Sequence, residues 1–410
     1  MRTTTSARWR WTAGLGASAL VACARPATPP SGAGEPTLRV ALVTGVAEAV
    51  IAAQGAGLAT ADGAPVMRLD LGQRAVLRAE GGALLVSGGD ARYSRLVFAG
   101  TTPGLHVMLG DTPYRGALEA FVTAGGITVV NVVPLEAYLR GVVNAEMGRR
   151  ADNERAALEA QAVVSRTYAL RNRGRFATDG YDLRAALADQ VYGGVPAETD
   201  LGARAVAATA GQALTWHGEL IAPFFHSTCG GSTATPEEAF ISIRGAPYLR
   251  PVSDRRPGGH YCDISPRFRW SVEWGGDALR DILGRTLPAQ LGVDAAHVTR
   301  VRDVYVRRTG GSGRAVDVRV RFDGGEVPVP GYAVRAVFAT PEGRSLGSSA
   351  IRLAAVREAD TVTQLRAEGS GWGHGVGLCQ WGAVGRARAG QDAATILTTY
   401  FPGSRLARWY

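Results

Sequence analysis

The sequence VPLEAYLRGVVNAEM, residues 133–147, joins a β-type run that ends at Pro134 to a helix with one apolar face. At about 100° of rotation per residue, the arc that holds most of the large apolar side chains also holds Glu146, near its centre. A carboxylate on a core-facing stripe loses hydration, so we expect burial to raise the pKa of Glu146 and to favour the protonated form. A general acid needs that property near neutral pH. Helical periodicity leaves a second interpretation equally open, in which Glu146 forms a buried ion pair with an arginine.

The regions on either side of this stretch differ in the structure that they predict. Residues 38–128 contain short β-type runs that glycines interrupt, and no group of residues typical of catalysis. After the first helix, Asn153 is a plausible N-cap for a second helix through the alanine-rich residues 154–173. Between residues 268 and 366 the pattern is mixed, and it includes the β-type run Ala315–Arg321.

The C-terminal part contains a glycine-rich loop, Gly369–Gly377, and two helices, the first from about Leu378 and the last before Pro402. The sequence therefore predicts an α+β protein, with a β-rich N-terminal region and a mixed helix and strand catalytic core that an α/β segment interrupts. The predicted units are the β-rich region at 38–128, the catalytic core at 129–267 and 367–410, and the inserted segment at 268–366.

Residues 1–23 have the pattern of a signal peptide. Three arginines precede an uncharged, mostly apolar run at 11–22, which is shorter than the roughly 20 residues that cross a bilayer. The run continues into Cys23 as Leu-Val-Ala-Cys, which resembles a bacterial lipoprotein signal; the alternative is an ordinary secretory signal with an incidental cysteine. Residues 24–37 have the Pro, Ser, Gly and Ala content of a flexible tether. We expect an exported protein, lipid-anchored through Cys23 in the cell envelope, as a periplasmic outer-membrane lipoprotein of a Gram-negative bacterium.

All 45 lysine and arginine positions are arginine, and the formal net charge is +9. A charge of this sign suits an acidic partner, but no basic cluster with interleaved aromatic residues occurs, so we expect no nucleic-acid partner. The absence of lysine excludes Schiff-base chemistry and a lysine general base.

Five segments, in order along the chain, resemble the sporulation stage II protein D family of peptidoglycan lytic transglycosylases and the related amidase-enhancer proteins. They are Val133–Met147, Ala160–Ala169, Asp189–Gly194, Phe225–Gly231 and Gly371–Ala383. The resemblance implies cleavage of the bond between N-acetylmuramic acid and N-acetylglucosamine, with Glu146 as the catalytic acid. In such enzymes no water attacks, because the 6-hydroxyl of the sugar closes on C1 and gives a 1,6-anhydro product.

One carboxylate can serve both steps of that reaction, first as an acid to the leaving oxygen and then as a base to the hydroxyl. Ordinary glycosidases need a second carboxylate about 5 to 10 Å away, and Asp189 and Glu136 are the candidates for that alternative. Tyr168 suits a core position as well as a sugar contact, and His374 suits a loop-fixing role as well as substrate binding. The resemblance implies a sugar-binding cleft with the following residues: Arg166, Tyr168, Gln190, Tyr192, Trp372, His374, Gln380 and Trp381.

Three cysteines lie beyond the predicted signal peptide: Cys229, Cys262 and Cys379. The pairs His226-x-x-Cys229 and His260-x-Cys262 have spacings that suit a tetrahedral zinc site, with His226, Cys229 and Cys262 as ligands. The resemblance supports zinc further, because some family members bind it near the His-Ser-Thr segment. A Cys229–Cys262 disulfide is the equal alternative in an oxidising compartment. Either feature is structural, because the hydrolytic zinc motif His-Glu-x-x-His is absent.

The sequence thus favours a lytic transglycosylase that needs no cofactor for catalysis, with a structural zinc ion as an option. Its predicted partners are peptidoglycan glycan strands, an amidase, and the membrane through the lipid anchor only. The resemblance implies a preference for strands without stem peptides. The alternative is a non-enzymatic, peptidoglycan-binding protein that stimulates an N-acetylmuramoyl-L-alanine amidase. A zinc hydrolase built on the cysteine and histidine pairs is a third hypothesis.

Overall fold

The computed structural model describes residues 34–241, 243 and 245–410. The predicted signal peptide, the lipidation site Cys23 and most of the predicted tether lie outside the described residues. None of the helices in the described part of the chain combines the length and the apolar character that a membrane span needs.

Two sheets form the N-terminal part of the described chain. Their strands are β1 (Thr37–Val46), β2 (Glu48–Ala53), β3 (Gly57–Ala61), β4 (Ala64–Leu69), β5 (Arg74–Glu80), β6 (Ala83–Val86), β7 (Arg92–Tyr93), β8 (Arg95–Gly100), β9 (Val107–Leu109), β10 (Thr112–Tyr114), β11 (Ala117–Thr123) and β12 (Gly126–Pro134). The order is β1-β12-β11-β8-β3-β4 in one sheet and β10-β9-β2-β5-β6-β7 in the other. Successive side chains of a strand point to opposite faces, and one face of each sheet covers a shared apolar core.

The predicted change from strand to helix at Pro134 is confirmed. The strand β12 ends at Pro134 and pairs antiparallel with β1, and the next residue begins α1 (Leu135–Met147). Pro134 has no side chain that can cap this helix, but the Leu135 N–H donates to the carbonyl oxygen of Pro36 at 2.9 Å and the Glu136 N–H donates to Glu35 Oε1 at 2.7 Å. The chain that leads into β1 therefore satisfies two of the free N–H groups at the start of α1. The predicted apolar arc is fully buried: Leu135, Tyr138, Leu139, Val142 and Val143.

The second predicted helix is α2 (Arg155–Asn172), but the predicted N-cap is wrong. Residues Asp152–Glu154 form a short 3-10 turn instead, and the Glu154 side chain accepts a hydrogen bond from the Ala151 N–H at 3.0 Å. The elements that follow are β13 (Leu183–Arg184), α3 (Asp200–Ala208), β14 (Gln212–Trp216), β15 (Glu219–Leu220), β16 (Phe225–His226), α4 (Pro236–Ala239), β17 (Arg255–Arg256) and β18 (Gly259–His260). The short strand β13 pairs in parallel with β1 and extends the first sheet.

The next segment folds around an apolar core of its own. Its elements are β19 (Arg269–Gly275), α5 (Gly276–Leu291), β20 (Val301–Thr309), β21 (Ala315–Phe322), β22 (Gly325–Pro330), α6 (Gly331–Val337), β23 (Ile351–Glu358) and β24 (Thr361–Ser370). They form two three-stranded sheets, β19-β24-β23 and β20-β21-β22. The buried side chains between these sheets and α5 and α6 include Trp274, Leu283, Val320, Phe338 and Leu365.

The chain ends with β25 (Leu378–Cys379), α7 (Gln380–Arg388), α8 (Ala393–Tyr400) and β26 (Arg405–Arg408). The strand β25 pairs in parallel with β16, so Cys379 lies opposite His226. The helices α1, α3, α7 and α8 all contact α2, which lies at the centre of the helical part. One continuous core runs from Leu38 in the first strand to Phe401 after the last helix. The predicted α+β class is confirmed.

Candidate functional site

Glu146 lies near the C-terminal end of α1, where it is half-buried beside the fully buried arc of apolar side chains. Two groups bind its carboxylate. The Val191 N–H donates to Oε1 at 2.7 Å, and the Gln380 side chain forms a second hydrogen bond. Val191 follows β13 and Gln380 is the first residue of α7, so three segments that are distant in sequence meet at this carboxylate.

The electrostatic state of Glu146 agrees with the prediction from helical periodicity. Burial raises the pKa of its carboxyl above the ordinary value, and the hydrogen bonds from Val191 and Gln380 oppose only part of that shift. In the described part of the chain no arginine contributes to its pKa. The structure therefore favours a carboxyl group held by hydrogen bonds over the alternative of a buried ion pair.

Asp189, one of the two candidates for a second carboxylate, is bound on both oxygens. The Tyr168 hydroxyl and the Arg175 guanidinium donate to its Oδ1 at 2.7 and 2.9 Å, and the Arg184 N–H donates to Oδ2 at 2.9 Å. The Asp189 side chain is almost completely buried. Asp189 therefore joins α2 to β13, and Tyr168 takes the structural position that was the alternative to a sugar contact.

Glu136, the other candidate, is paired with Arg166. The Arg166 Nε and Nη2 atoms donate to the two Glu136 oxygens at 2.8 Å each, and the Tyr410 hydroxyl and the Gly211 N–H also donate to Oε1. Arg166 has no exposed surface, so its predicted role in sugar binding does not agree with its position. The bidentate pair connects the start of α1 to α2.

Gln190 and Tyr192 anchor the segment that binds Glu146 to the core. The Tyr138 hydroxyl donates to Gln190 Oε1 at 3.2 Å, and Gln190 is fully buried. The Tyr192 hydroxyl donates to Asn131 Oδ1 at 2.8 Å, and its ring packs 4.8 Å from that of Tyr138. Both side chains thus bind other parts of the core, and the backbone between them supplies the contact with the carboxylate.

The predicted cleft residues Trp372 and His374 lie in the glycine-rich loop. The Trp372 backbone exchanges two hydrogen bonds with that of Thr228, at 2.7 and 3.0 Å. His374 Nε2 lies 2.8 Å from the Phe225 carbonyl oxygen, and its Nδ1 accepts from the Val376 N–H at 3.1 Å. Burial lowers the pKa of His374 to about 4, so its ring is neutral. These contacts favour the loop-fixing role of His374.

Gln380 and Trp381, at the start of α7, lie at the site itself. Besides its bond to Glu146, Gln380 donates from Nε2 to Gln161 Oε1 at 3.4 Å, which links α7 to α2. The guanidinium of Arg150 lies over the Trp381 ring, 4.5 Å from its centroid. Sequence reasoning missed Arg150 and Gln161. Their signal was position, because Arg150 follows Glu146 by four residues, just beyond the end of α1, and Gln161 belongs to the second motif.

The three cysteines form a second, separate cluster. The Sγ atoms of Cys229, Cys262 and Cys379 and a carboxylate oxygen of Asp254 all lie within 4.8 Å of one another. All four residues are buried. The three cysteines are free thiols, and the Sγ atoms of Cys229 and Cys262 are 3.4 Å apart, well beyond the roughly 2.05 Å of a disulfide bond.

His226 is not part of this cluster, so the predicted ligand set of His226, Cys229 and Cys262 needs correction. His226 is buried, and its Nδ1 lies 3.2 Å from the Val376 carbonyl oxygen. Parallel pairing of β16 with β25 places Cys379 beside the other two thiols instead. The aspartate was also missed, because no spacing rule connects Asp254 with the cysteines.

Comparison with a family model covers the first three of the five motifs. Residues 123–216 match the family described as Stage II sporulation protein, and residues 255–377 match a domain of unknown function, DUF8618. The first match covers α1, α2 and the segment that binds Glu146 through Val191. The second covers most of the segment with its own core and ends within the glycine-rich loop.

Curated relatives extend this likeness. Stage II sporulation protein D of Bacillus subtilis is 26% identical over 295 residues, which cover 68% of this chain and 76% of that protein. The amidase enhancer of Bacillus subtilis is also 26% identical over 295 residues, but these cover 66% of this chain and only 40% of the enhancer. An uncharacterized protein of Brachyspira hyodysenteriae is 28% identical over 300 residues, with 72% of each chain covered. The chain thus contains a domain that matches the Stage II sporulation protein family, and it is similar in sequence to stage II sporulation protein D and to the amidase enhancer.

Proposed function

We propose that the protein is a lytic transglycosylase that cleaves the bond between N-acetylmuramic acid and N-acetylglucosamine in peptidoglycan glycan strands. Similarity to this family supports a role in peptidoglycan metabolism. The observation that carries the finer proposal is the environment of Glu146. Its carboxyl is half-buried, has a raised pKa and is held by hydrogen bonds instead of an arginine.

In the first step Glu146 acts as the acid. Its proton passes to the glycosidic oxygen as the bond from that oxygen to C1 of the muramic acid residue breaks. Because burial raises the pKa of Glu146, a larger fraction of the molecules holds this proton near neutral pH than for an exposed glutamate.

In the second step the same group acts as the base. The Glu146 carboxylate accepts the proton of the 6-hydroxyl as the hydroxyl oxygen forms the new bond to C1, which gives the 1,6-anhydro product and restores the acid. Hydrogen bonds from Val191 and Gln380 stabilise the carboxylate form between the two steps. Both are donors to the charged form, so they limit how far its pKa rises.

The other two candidate carboxylates, Asp189 and Glu136, are already bound by neighbouring side chains, which supports a mechanism with one acidic residue. Asp189 is bound by Tyr168 and Arg175, and Glu136 is bound by the buried Arg166. Neither is free to act as the nucleophile or the base that a two-carboxylate glycosidase needs. An internal hydroxyl replaces the water and removes the need for that second group.

The start of α7 is the part of the site that we assign to the sugar. Trp381 offers an aromatic ring beside Gln380, and Arg150 lies over that ring with a buried Nε that has no hydrogen-bond partner among the described residues. Aromatic and guanidinium groups suit a sugar ring with a carboxylate substituent. A strand without stem peptides exposes such a carboxylate on each muramic acid. We therefore propose peptide-free strands as the preferred substrate.

The test is product analysis on two substrates. The full-length protein is incubated with intact peptidoglycan and with strands from which an amidase has removed the peptides, and the soluble products are identified by mass spectrometry. We expect anhydro-ended sugars, in larger amount from the peptide-free strands, and none from the Glu146→Gln variant. Glu237→Gln, on an exposed part of α4, is the matched control and should retain activity. Reducing-end sugars without the anhydro mass would contradict the proposal.

The likeness to an amidase enhancer supports a second candidate, in which the protein binds peptidoglycan and stimulates an amidase without cleaving glycan. The same assay, repeated with an N-acetylmuramoyl-L-alanine amidase present, separates the two. Faster peptide release that Glu146→Gln does not reduce, together with no anhydro sugars, would favour the enhancer. In both cases we propose an exported, lipid-anchored protein in the cell envelope, which labelling with a fatty-acid precursor in wild type and Cys23→Ala would test.

A further inference from the structure

Four donor atoms of the kinds that bind a soft divalent metal converge in the interior, away from the contacts of Glu146. They are the Sγ atoms of Cys229, Cys262 and Cys379 and a carboxylate oxygen of Asp254, all within 4.8 Å of one another. Cys262, Cys379 and Asp254 have no exposed surface, and Cys229 has almost none. Thiolates and carboxylates are both zinc ligands, and four such donors can complete a closed, tetrahedral site.

We propose that Cys229, Cys262, Cys379 and Asp254 bind one zinc ion as a closed structural site. The ligands come from four separate segments. Cys229 follows β16, Asp254 precedes β17, Cys262 lies in the 3-10 turn Tyr261–Ile264, and Cys379 ends β25. The proposal stands apart from the proposed activity, because none of the four residues contacts Glu146 in the described structure.

The two oxygens of Asp254 have different partners, as expected of a carboxylate that binds a metal through one oxygen. Oδ1 accepts from the Tyr400 hydroxyl at 2.7 Å and from Arg386 Nη2 at 3.1 Å. Oδ2 faces the sulfur atoms, with Cys229 Sγ at 3.7 Å. Tyr400 and Arg386 thus fix the orientation of the carboxylate from the outer side, a common arrangement around metal ligands.

Backbone N–H groups point at the sulfur atoms. The Cys229 N–H donates to Cys379 Sγ at 3.1 Å, the Gly382 N–H donates to the same atom at 3.2 Å, and the Gly231 N–H donates to Cys229 Sγ at 3.4 Å. Sulfur is a weak acceptor as a neutral thiol, and hydrogen bonds of this kind favour the thiolate. The surroundings are therefore arranged for thiolates, which are the form that binds metal.

Two buried arginines offset the charge of such a site. Three thiolates and a carboxylate around a divalent ion carry two more negative charges than positive ones. Arg386 is bonded to Asp254, and Arg314 reaches the cluster from the segment with its own core, where its Nη2 donates to the Cys229 carbonyl oxygen at 3.1 Å. Arg314 has no exposed surface, and its Nε and Nη1 have no hydrogen-bond partner among the described residues. A buried arginine in that state is costly unless negative charge lies nearby.

A disulfide explains fewer of the contacts around the three cysteines and Asp254 than a metal does. A Cys229–Cys262 bond would leave Cys379 as a buried thiol and would place no positive charge beside Asp254 Oδ2. It would also remove the Cys229 thiolate and leave Glu238 as the acidic residue that offsets the charge of Arg314. A zinc ion uses all four donors and explains both arginines.

A metal here would also hold the start of α7. Cys379 is the residue before Gln380, and its sulfur caps α7 by accepting from the Gly382 N–H. Gln380 is in turn a hydrogen-bond partner of Glu146. The zinc ion would thus join the segments after β16 and before β17 to the helix end that supplies one of the two contacts of the candidate acid.

The first experiment uses the wild-type full-length protein, purified without added metal and without chelators. We expect close to one zinc ion per chain by elemental analysis. Replacement by Co²⁺ should give the sulfur-to-cobalt charge-transfer and ligand-field absorption of a tetrahedral thiolate site. Alkylation followed by mass spectrometry should find all three cysteines as thiols once the unfolded protein is treated with chelator. A Cys229–Cys262 disulfide with no bound metal would overturn the proposal.

Variants then identify the ligands. Cys379→Ser and Asp254→Asn should each lose the zinc or bind it at least about 10-fold more weakly, whereas His226→Gln, which removes the ligand that sequence spacing suggested, should keep it. Arg314→Met, outside the ligand set, should weaken zinc binding about 10- to 100-fold in competition with a chromogenic chelator. Loss of zinc in His226→Gln with retention in Cys379→Ser would overturn the ligand assignment. If a variant does not fold, the metal content and cobalt spectrum of the wild type decide the proposal.

Discussion

The two ends of α1 carry the same residue type in opposite electrostatic states. At the start of the helix, burial alone would raise the pKa of Glu136, but the hydrogen bonds and charge of Arg166 bring it below the ordinary value, with help from Tyr410 and Gly211. The Arg166 guanidinium is itself fully buried, so the two charges are mutually required.

At the other end of the helix, burial raises the pKa of Glu146, and no arginine among the described residues reverses the shift. Val191 and Gln380 supply hydrogen bonds without a charge. A buried glutamate with a charged partner is held as a carboxylate in an ion pair, and its role is structural. A carboxyl that has only neutral donors keeps a proton available for chemistry.

The largest expected effect is on reaction rate. Glu146→Gln should lower the rate of anhydro-sugar formation about 100- to 10,000-fold, the range for loss of a general acid and base. Glu136→Gln should leave the rate per folded molecule within a few fold of wild type, because its carboxylate binds Arg166 and not the substrate. Both rates are measured on peptide-free strands and divided by the folded fraction from circular dichroism. Equal loss of rate in the two variants would remove the functional difference between the ends of the helix.

The second effect is on stability, where Glu136→Gln should have a larger effect than Glu146→Gln, the reverse of their effects on rate. Glu136→Gln should lower the free energy of unfolding by about 3–5 kcal/mol, because it leaves the buried charge of Arg166 without its partner. Glu146→Gln should leave stability unchanged or slightly higher at neutral pH, since it removes a carboxylate that is partly desolvated. Urea unfolding of both variants provides the measurement. A Glu146→Gln variant as unstable as Glu136→Gln would indicate a structural role for both glutamates.

The third effect is a pH dependence with opposite signs at the two ends. Glu136 has a lowered pKa, so its contribution to stability is present above its ordinary value of 4.5 and is lost as pH falls through its lower folded pKa. Glu146 has a raised pKa, so its carboxylate costs stability as pH rises from 4.5 through the higher folded value. The stability of Glu146→Gln relative to wild type should therefore increase over that upper window.

The rate should follow the same titration of Glu146. Because the first step needs the protonated acid, kcat/KM should fall as pH rises through the raised pKa of this group. A rate that is flat across that window, in a protein that stays folded, would argue against Glu146 as the acid. Unfolding curves at each pH serve as the control.

The smallest expected effect concerns Gln380. Its hydrogen bond favours the charged form of Glu146, so Gln380→Leu should raise the pKa of Glu146 further and move the alkaline limb of the rate profile to higher pH. The zinc content should remain that of wild type, because Gln380 is not a proposed ligand. Gln161→Leu is a useful comparison, since it removes the other partner of Gln380 without a direct bond to the acid. A shift toward lower pH in Gln380→Leu would contradict this account.

Much of the local structure was predictable, because it depends on residues close together in the chain. The strand that ends at Pro134, the helix through Met147 and the strand pattern at Ala315–Arg321 all follow from side-chain periodicity and proline geometry. The cap of α2 was not predictable in the same way. Asn153 has the right chemistry for a cap, but the 3-10 turn and the Glu154 side chain take that place.

The partners of the functional residues were less predictable. Arg166 and Gln190 occur in motifs that suggested a sugar cleft, yet both are fully buried. Motif membership indicates that a residue belongs near the site, but it does not separate a substrate contact from a residue that holds the wall of the site in place. That distinction depends on whether the side chain points into the core of the folded chain or toward its surface.

Short-range periodicity and local motifs were enough to place Glu146 on a core-facing helix and to indicate the family resemblance. The folded chain was needed to show which glutamate of α1 receives an arginine, and with it the direction of each pKa shift, and which cysteine completes the thiol cluster. Arg166 reaches Glu136 from α2, and Cys379 reaches Cys229 because β16 and β25 pair in parallel. Such contacts depend on the packing of segments far apart in the chain, which no local pattern encodes.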